Sequence, residues 1–568
     1  MSSELIVEAS APLYLALGSA ATCATFVLLE FVSSALKTQP INLKRLSTLT
    51  LSIALATLCF NEWDRIQGSL FPKEVELIQK SITNAESFRP YSVSTISTIG
   101  KGVEYFPDAA ITCNLARHDD DDSISVSKTF DLNKDGELAE IRAMARRMVE
   151  NREYPQLKSI FSEPLNLTDE EILKRNWYKF ASSATWMEMY QVNFLVSRIL
   201  YTESGHRGAA NVSFLYGQIF DKDWKEIRNY KFNSSSLLFP TILPVEFQVE
   251  EGRDYQGAED PRVVLRTFFN KRTGQLDQEP VISFSNLQKG KIYWRLHMSV
   301  YRPLSHPRRA RLMRIKDEYP RTMEKNWAPF LDDDGEDFIN FIYSFSPLRV
   351  VKCNYESGLC TKVYGEALPV YGNSTGQFRG GTNLIPIPNH LLPSGSGFAE
   401  RKSWFGIGRV VVLSCHRLHK IYRPVAFIIS RDEEMQFHIT STTEQLDFHV
   451  DVEPWFGGSI VNDVNVMTPN SISNWDVSDE KNDIMTLTFS RSDKSNDRIY
   501  IKGWLRQIRN SLDIDVKSTR DYFSKSDEVL SQMNKFMTAC ASFRIDQYCE
   551  ALVRLETTDG LCAIEDDV

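Results

Sequence analysis

The sequence has little of what several classes of protein require. Its 65 Lys and Arg residues are outnumbered by 74 Asp and Glu, giving a net charge of −9, so the basic surface that general nucleic-acid binders need is lacking. Nine cysteines in 568 residues are too few for a disulfide-built scaffold. The composition, 42% hydrophobic and 24% charged, excludes collagen-like, coiled-coil and wholly disordered chains. A large globular protein remains, with one large domain and appendages or three smaller domains.

Basic residues are also missing before the first long apolar stretch. Residues 11–36 are almost entirely apolar or small, and as a helix they would rise about 39 Å, enough to cross a bilayer core of about 30 Å. A second stretch, 46–60, is shorter, and three basic residues lie between the two. The positive-inside rule places this linker in the cytosol. The body is then cytosolic if only the first stretch spans, and lumenal if the second spans.

Two features of the remaining chain favour the lumen. Seven of the nine cysteines follow the anchor region, and Cys353 and Cys360 bracket a turn that a disulfide could close. Zinc is the alternative for this pair, but no second Cys or His pair accompanies it. Four N-glycosylation sequons follow residue 65, at Asn166, Asn211, Asn233 and Asn373. We therefore expect a type II membrane protein of the secretory pathway, in the Golgi, with one span or two and a lumenal body.

The chain divides into four segments of different character. Residues 1–65 are predicted to be the cytosolic tail and membrane anchor region, 66–186 a stem and a helical N-terminal part, 187–510 a catalytic β domain, and 511–568 a helical cap. Apolar residues recur at helical spacing between Glu137 and about Phe180, which predicts two or three helices there. Within 131–136 the sequence resembles the start of a calcium loop. Since Arg142 stands where that loop needs a bidentate Glu, we expect a turn followed by a helix.

Short β-type runs separated by Gly, Asn, Asp and Pro fill the segment 187–510. Five of them can each be paired with a following strand, and their centres are about 60–75 residues apart. These runs are 212–216, 281–284, 339–344, 410–413 and 484–489. Evenly spaced all-β units of this size predict a five-bladed β-propeller, so the expected fold is mainly β with helical flanks. An open pair of β-sandwiches is the competing architecture.

The stretch 257–264, Gly-Ala-Glu-Asp-Pro-Arg-Val-Val, combines groups suited to chemistry. Pro261 holds Asp260 out of a helix, and Arg262 opens a strongly β-type run. A carboxylate at the entrance of a strand, beside a cation that can bind phosphate, suits acid–base work on a phosphorylated substrate. The alternative is a turn with a local ion pair.

Several motifs in a consistent order resemble those of the fungal β-mannosyltransferases of glycosyltransferase family 91, from about residue 90 to residue 510. They are 257–262 (GAEDPR), 326–330 (NWAPF), 343–353 (YSFSPLRVVKC), 379–382 (RGGT), 422–424 (YRP) and 483–493 (DIMTLTFSRSD). The Glu-Asp-Pro-Arg element is also similar to one in the mannoside phosphorylases of glycoside hydrolase family 130, which are five-bladed propellers with a catalytic Asp in that element. Two family elements differ in this chain, at 414–416 and 470–472, which leaves the choice of acceptor open.

The resemblance implies transfer of mannose from GDP-mannose to cell-wall mannan with inversion, forming a β-1,2 linkage. It implies no cofactor beyond the donor, and it leaves a need for a divalent metal open. Asp260 is the expected catalytic base. The expected contacts to donor and acceptor are, for phosphate, Arg262, Lys325, Arg379 and Arg423, and, for sugar, Trp404, His416 and Asp447, with Trp327 and Trp455 as further stacking candidates.

Three other functions fit parts of the same sequence. A metal-dependent transferase would use Asp-x-Asp, and both 332–334 and 221–223 match that pattern. A mannoside phosphorylase or hydrolase would use the Glu-Asp-Pro-Arg element, and a lectin-like propeller would bind mannan without catalysis.

Overall fold

The structure is a computed structural model, and it describes residues 88–93, 96–99, 124–150, 166–250, 253–271, 273–289, 294–307, 309–321, 323–332, 337–365, 377–415, 419–432, 434, 436–456 and 463–565. The chain divides into two compact units, Met1–Glu86 and Ser87–Val568, and all described residues belong to the second. In the described ranges no helix has both the length and the apolar character to cross a membrane. Both predicted N-terminal spans lie outside these ranges.

Twenty-five strands and five α-helices make up the described part of the chain. Four short strands come first: β1 (Arg89–Tyr91), β2 (Ile96–Thr98), β3 (Ile124–Val126) and β4 (Phe130–Asp131). Two helices follow, α1 (Glu137–Glu150) and α2 (Asp169–Asn176). A capping box between Thr168 and Glu171 fixes the start of α2, because each residue bonds the backbone N–H of the other. Ile141 of α1 and Ile172 of α2 share one buried cluster with the strands that come next.

The remaining strands form five antiparallel groups in chain order. The first group contains β5 (Trp177–Met187), β6 (Val192–Tyr201), β7 (Val212–Phe220) and β8 (Thr241–Ile242). The second contains β9 (Gln256–Asn270), β10 (Gln275–Lys289), β11 (Trp294–Tyr301) and β12 (Ala310–Leu312). The third contains β14 (Ala328–Phe330), β15 (Phe338–Phe345), β16 (Leu348–Asn354) and β17 (Leu359–Tyr364), with β13 (Arg314–Ile315) parallel to β17.

The last two groups carry the N-terminal short strands. The fourth contains β18 (Phe378–Arg379), β19 (Ile385–Ile387), β20 (Lys402–Cys415), β21 (His419–Arg431) and β22 (Phe437–Gln445), with β2 on its edge. The fifth contains β23 (Asn465–Asp476), β24 (Ile484–Arg491) and β25 (Asp497–Lys502), with β1, β3 and β4 on its edge. Each of the five β-type runs singled out in the sequence lies in a strand, and each strand belongs to a different group.

The groups are joined by parallel strand pairing and by the packing of β5 against strands of other groups. Short parallel pairings join β7 to β9 and β21 to β23, so the five groups appear as sheets of eight, five and twelve strands. Strand β5 packs against both β9 and β23, so the first group touches the second and the last. Its register shifts between Phe180 and Ser183, which frees backbone N–H groups for other partners. The Ala181 N–H donates to Ser490 Oγ at 2.8 Å, and the Ala184 N–H donates to Ser471 Oγ at 2.7 Å.

Three helices end the chain: α3 (Trp504–Leu512), α4 (Val516–Phe523) and α5 (Asp527–Glu565). They contribute Trp504, Met537 and Ile545 to the largest hydrophobic core, which also includes strands of the third, fourth and fifth groups. The helices therefore pack on the sheets as part of the same body.

The structure corrects part of the predicted organisation. Trp177 and Phe180 match helical spacing with Ile172, yet both lie in β5, because this segment is buried between neighbouring strands and not on one side of a helix. The sheets also differ from the predicted range 187–510 at both ends. Strands within 66–186 pair with the fourth and fifth groups, and the last strand ends at Lys502, before residue 510.

Gly257 gives a test of the close approach between the start of β9 and Ser213 of β7. Its φ is +84°, and a Cβ there would lie 2.1 Å from the Ser213 carbonyl oxygen. Gly274 has a φ of +72° but open space around a Cβ. Gly274→Ala should therefore cost only the left-handed strain of about 1–2 kcal/mol, whereas Gly257→Ala should lower the free energy of unfolding clearly more. Urea unfolding of both variants measures this, and equal losses would contradict it.

Candidate functional site

Asp260 occupies an irregular position near the start of β9. Its φ is +51°, a left-handed conformation that Asp tolerates better than most residues. The pairing with β10 shifts register there, since Ser283 faces Arg262 while Ser285 faces Glu259. Such a bulge redirects a side chain out of the regular alternation of a strand. Pro261 reinforces it, because proline cannot donate to the ladder.

One guanidinium holds the two adjacent carboxylates of this segment. Arg198 of β6 donates from Nη2 to Glu259 at 3.0 Å, from Nη1 to Asp260 at 3.1 Å, and from Nε to Ser213 Oγ at 3.0 Å. The side chains of Arg198 and Glu259 are each 9% exposed, whereas that of Asp260 is 28% exposed. Glu259 is therefore buried in the ion pair, while Asp260 keeps an accessible face.

Neighbouring cations set the charge state of Asp260. Burial by itself raises the pKa of this carboxyl, but attraction to Arg198, Arg262, Arg409 and Lys325 outweighs burial and lowers the pKa to about 2. For Glu259 burial dominates and raises the pKa, with repulsion from Asp260 acting in the same direction. The accessible carboxylate is thus the one held firmly ionised.

Three cations near Asp260 keep donor groups that no described residue accepts, although Arg409 Nη2 donates to Asn326 Oδ1. Arg379 on β18 lies opposite Arg409 on β20, and the buried Nε of each has no hydrogen-bond partner among the described residues. The ammonium of partly exposed Lys325 makes no hydrogen bond to a described residue either, and burial lowers its pKa against the attraction of Asp260 and Glu259. Unpaired buried donors are costly, so these groups are placed to receive an anionic ligand.

Arg262, which is predicted to contact phosphate, bonds two backbone carbonyl groups in the structure. Its Nε donates to the Gly381 carbonyl oxygen, and its Nη1 donates to the Pro261 carbonyl oxygen at 2.7 Å. Burial lowers its pKa to about 10, although Asp260 acts in the opposite direction. These backbone contacts join β9 to the fourth group, so Arg262 positions the Asp260 segment and adds positive charge behind it.

A second carboxylate, Asp493, belongs to the same cluster and escaped the sequence analysis. It lies in the turn between β24 and β25 with a φ of +49°, and it makes no hydrogen bond or ion pair with a described residue. Burial and the charge of Asp260 raise its pKa to about 6, despite the attraction of Arg198, Arg409 and Arg207. Its sequence signal was its place at the end of the motif 483–493.

The cluster as a whole carries an excess of positive charge. Its members are the cations Arg198, Arg207, Arg262, Lys325, Arg379 and Arg409 and the carboxylates Glu259, Asp260 and Asp493. Within this cluster, six cations stand against three carboxylates. An arrangement of this composition suits the binding of a group with several negative charges.

The structure places other predicted residues elsewhere. Buried Arg423 donates to the carbonyl oxygens of Tyr422 and Asn465 and to Tyr548 of α5, so its contacts belong to the fold. Asp447 accepts from the His449 backbone N–H in a surface turn. Trp404 is 2% exposed and lines a cavity that contains no member of the cluster. His416 lies outside the described residues.

The two further Trp candidates for sugar stacking lie in different surroundings. Trp327 is buried in a core cluster and contacts the rings of Phe341 and Tyr343. Trp455 accepts a hydrogen bond at its carbonyl oxygen from Arg207, so its backbone adjoins the cluster.

The predicted modification sites differ in their surroundings. Cys353 and Cys360 form a disulfide. Asn166 and Asn233 are exposed. The Asn211 amide bonds the Glu203 backbone N–H and the Asp254 carboxylate. Asn373 lies outside the described residues.

Of the two Asp-x-Asp patterns, Asp332, Asp221 and Asp223 lie within the described residues, and Asp334 lies outside them. Buried Asp332 pairs with Lys402 and Arg431, and Asp221 accepts backbone N–H groups of Asp223 and Lys225 in a turn. No cluster of three His, Cys, Asp or Glu side chains able to hold a metal occurs among the described residues.

Comparison with known proteins identifies the family. The β-mannosyltransferase family model matches residues 112–299 and 301–548. The chain is 38% identical over 451 residues to β-mannosyltransferase 3 of Candida albicans, covering 77% of this chain and 78% of that protein. It is 30% identical over 459 residues to β-mannosyltransferase 1 of Komagataella phaffii, covering 75% and 66% respectively. The chain belongs to the β-mannosyltransferase family, which makes it a glycosyltransferase.

Among solved structures, a β-1,2-mannobiose phosphorylase from Listeria innocua in complex with β-1,2-mannobiose matches 62% of this chain and 97% of its own. The sequence identity is 10% and the TM-score is 0.34.

Asp493 generates a prediction about stability and pH. Its folded-state pKa of about 6 lies above the ordinary value of 3.8, so its contribution to stability is present below about pH 4 and is lost as the pH rises through about 6. Asp493→Asn removes this titration. The free energy of unfolding of the variant, relative to wild type, should therefore increase between about pH 4 and about pH 7. Urea unfolding at both pH values measures it, and a difference that does not vary with pH would contradict it.

Proposed function

We propose that this protein transfers mannose from GDP-mannose to a mannan or mannoprotein glycan with inversion at the anomeric carbon, forming a β-1,2-mannosidic linkage. Family membership supports the transfer of a β-mannosyl group. The observation that carries the choice of an anionic nucleotide-sugar donor is the excess of positive charge around Asp260. A neutral donor would leave that charge uncompensated.

The stereochemistry requires one base. The donor mannose is α-linked, so a β product follows when the acceptor hydroxyl attacks from the face opposite the departing GDP. The C–O bond to phosphate breaks as the bond to the acceptor oxygen forms, and the acceptor proton passes to Asp260 directly or through a neighbouring sugar hydroxyl. The ionised Asp260 also stabilises the positive charge that develops at the anomeric carbon.

The leaving diphosphate requires positive charge. Arg379, Arg409 and Lys325 supply it in this proposal, with forked guanidinium contacts that suit phosphate oxygens. Since these cations can balance the charge of the leaving group, the proposed reaction uses no divalent metal. Binding of the diphosphate also weakens the cationic field at Asp260, which moves its pKa up from about 2 and makes it a stronger base when the donor is present.

We further infer that the five strand groups are the blades of a five-bladed propeller. The contacts of β5 with both β9 and β23 support this, because they bring the first and last groups together. Arg198, Asp260, Lys325, Arg379 and Asp493 come from all five groups or the loops that enter them. A circular arrangement of the five groups would bring these residues together at one end of the central channel.

A lumenal location in the secretory pathway is part of the same proposal. The disulfide between Cys353 and Cys360 supports an oxidising compartment, and the exposed Asn166 and Asn233 suit glycosylation. An N-terminal signal anchor within 1–65 would give a type II protein of the Golgi membrane.

The central test compares Asp260→Asn with wild type. The asparagine retains the left-handed backbone but cannot accept the proton, so transfer from GDP-mannose should fall about 10²–10⁴-fold. Asp317→Asn is the matched control, because Asp317 has a φ of +59° and is exposed outside the cluster. Linkage analysis of the product from purified full-length protein and defined α-mannosides measures both rate and linkage. Unchanged transfer by a well-folded Asp260→Asn would reject the base, and phosphorolysis of β-mannobiose without transfer would reject the donor.

The donor contact is tested with Arg379→Met. Loss of a charge-assisted contact to the diphosphate should raise the KM for GDP-mannose by about tenfold or more, while the KM for the acceptor changes little. Arg228→Met serves as the control, because Arg228 is half-exposed and pairs only with Glu140 and nearby charges at the surface. Initial rates at varied donor concentration give the result, and a rise in the acceptor KM alone would place Arg379 on the acceptor side.

A further inference from the structure

A cavity separate from the Asp260 site lies elsewhere among the described residues. It has a volume of about 690 Å³, within the range of about 300–1,000 Å³ that ligand sites commonly have. Its walls come from the first, second, fourth and fifth strand groups and from the end of β14, and include Trp186, Leu265, Leu331, Trp404 and Trp475. None of the cations or carboxylates of the Asp260 cluster lines it.

The cavity and the cluster lie at opposite ends of the same strands. On β5, the Phe180 ring lies under the Arg198 guanidinium of the cluster and Trp186 lines the cavity. On β9, Asp260 belongs to the cluster and Leu265 lines the cavity. Five residues of strand correspond to roughly 17 Å. The same order holds in the fourth group, where Arg379 precedes Ile385. A ligand in the cavity therefore lies beyond direct contact with the reacting atoms.

Three indole rings line this cavity, and they differ in how the fold uses them. Trp404 is buried and donates from Nε1 to the Leu331 carbonyl oxygen at 3.0 Å. Trp475 donates from Nε1 to Asp483 at 2.9 Å. Trp186 is partly exposed, and its indole makes no hydrogen bond or ring contact with any described residue. A large aromatic side chain left without such contacts at the wall of a cavity is placed to stack against a ligand.

The polar groups of the cavity suit a neutral, hydroxyl-rich ligand. Asn389 and Asn474 are exposed, and neither side-chain amide bonds a described residue. An amide offers both donors and acceptors, which matches adjacent sugar hydroxyls. The charges at the wall compensate each other, because Asp332 pairs with Lys402 at 3.1 Å and with Arg431. This chemistry contrasts with the cationic cluster and fits an uncharged saccharide.

We propose that the cavity lined by Trp186, Trp404 and Trp475 is a second, non-catalytic binding site for a mannose-containing segment of the acceptor polymer. The identity of the ligand rests on the proposed function, whereas the existence of a saccharide site rests on the cavity. A long acceptor that occupies both ends of the protein raises its own effective concentration at the catalytic end. A short acceptor cannot reach both.

Trp186→Ala tests this proposal, because that ring contributes to the cavity without hydrogen bonds that hold the fold. Titration of the full-length protein with polymeric mannan, in the absence of donor, should show about a tenfold loss of affinity, as expected for an aromatic anchor. The KM for polymeric acceptor should rise by a similar factor, while kcat and KM for a short mannoside stay at wild-type values. Trp186→Phe should recover much of the affinity, and Phe543→Ala, which removes an exposed ring of α5 outside the cavity, should change nothing.

The possible results separate this proposal from the proposed function. Unchanged mannan affinity in Trp186→Ala would overturn the second site even if the protein transfers mannose. Equal losses with polymeric and short acceptors would also overturn it, because the cavity would then belong to the catalytic acceptor site. Mannan binding that depends on Trp186 would support the site even if GDP-mannose proved not to be the donor. Thermal unfolding of the variants identifies a loss that comes from misfolding.

Discussion

The ion pair network centred on Arg198 is the constraint on which the site depends. One guanidinium on β6 holds Glu259 and Asp260 of β9 and bonds Ser213 of β7, so it fixes the first strand group against the second. Its removal would leave Glu259 as a buried, unpaired carboxylate, which commonly costs about 3–5 kcal/mol. The same contact sets which carboxylate is available, because Glu259 is enclosed while Asp260 faces the cluster.

The surplus of cations opposes folding in the free protein and favours binding of an anion. Burial lowers the pKa of Arg379, and the charge of Arg409 lowers it further, which shows that these guanidinium groups repel each other in a poorly solvated place. An anionic ligand that binds only the folded state relieves this repulsion and stabilises the protein. The fold tolerates the arrangement because Arg262, Arg198 and the bulge of β9 are held by backbone and ion-pair contacts of their own.

Local sequence patterns predicted part of this architecture well. Each of the five β-type runs lies in its own strand group, since alternating apolar runs between turn residues specify strands locally. The motif around Asp260 identified one segment of the cluster, because its residues are adjacent in the sequence. Arg198 and Arg409 carry no local signal, and the motif that ends at Asp493 does not show what that residue contacts, because the meeting of these groups depends on pairings between strands far apart in sequence. Trp177 and Phe180 are spaced as on one face of a helix, but nearly every residue of β5 is buried. The spacing of apolar residues alone does not distinguish a strand buried on both sides from one face of a helix.

The cations around Asp260 make the proposed proton transfer depend on the binding of the donor. In the free protein, the cations hold the pKa of Asp260 at about 2, while Asp493 remains near 6, so Asp260 is a weak base. In the proposed mechanism, a bound diphosphate occupies the same cations and removes part of their attraction for Asp260, which raises the affinity of Asp260 for a proton. The base therefore gains strength at the moment when an anomeric carbon is present to be attacked. On this reasoning the cationic cluster does more than hold the leaving group, because it couples donor binding to the activation of the acceptor hydroxyl.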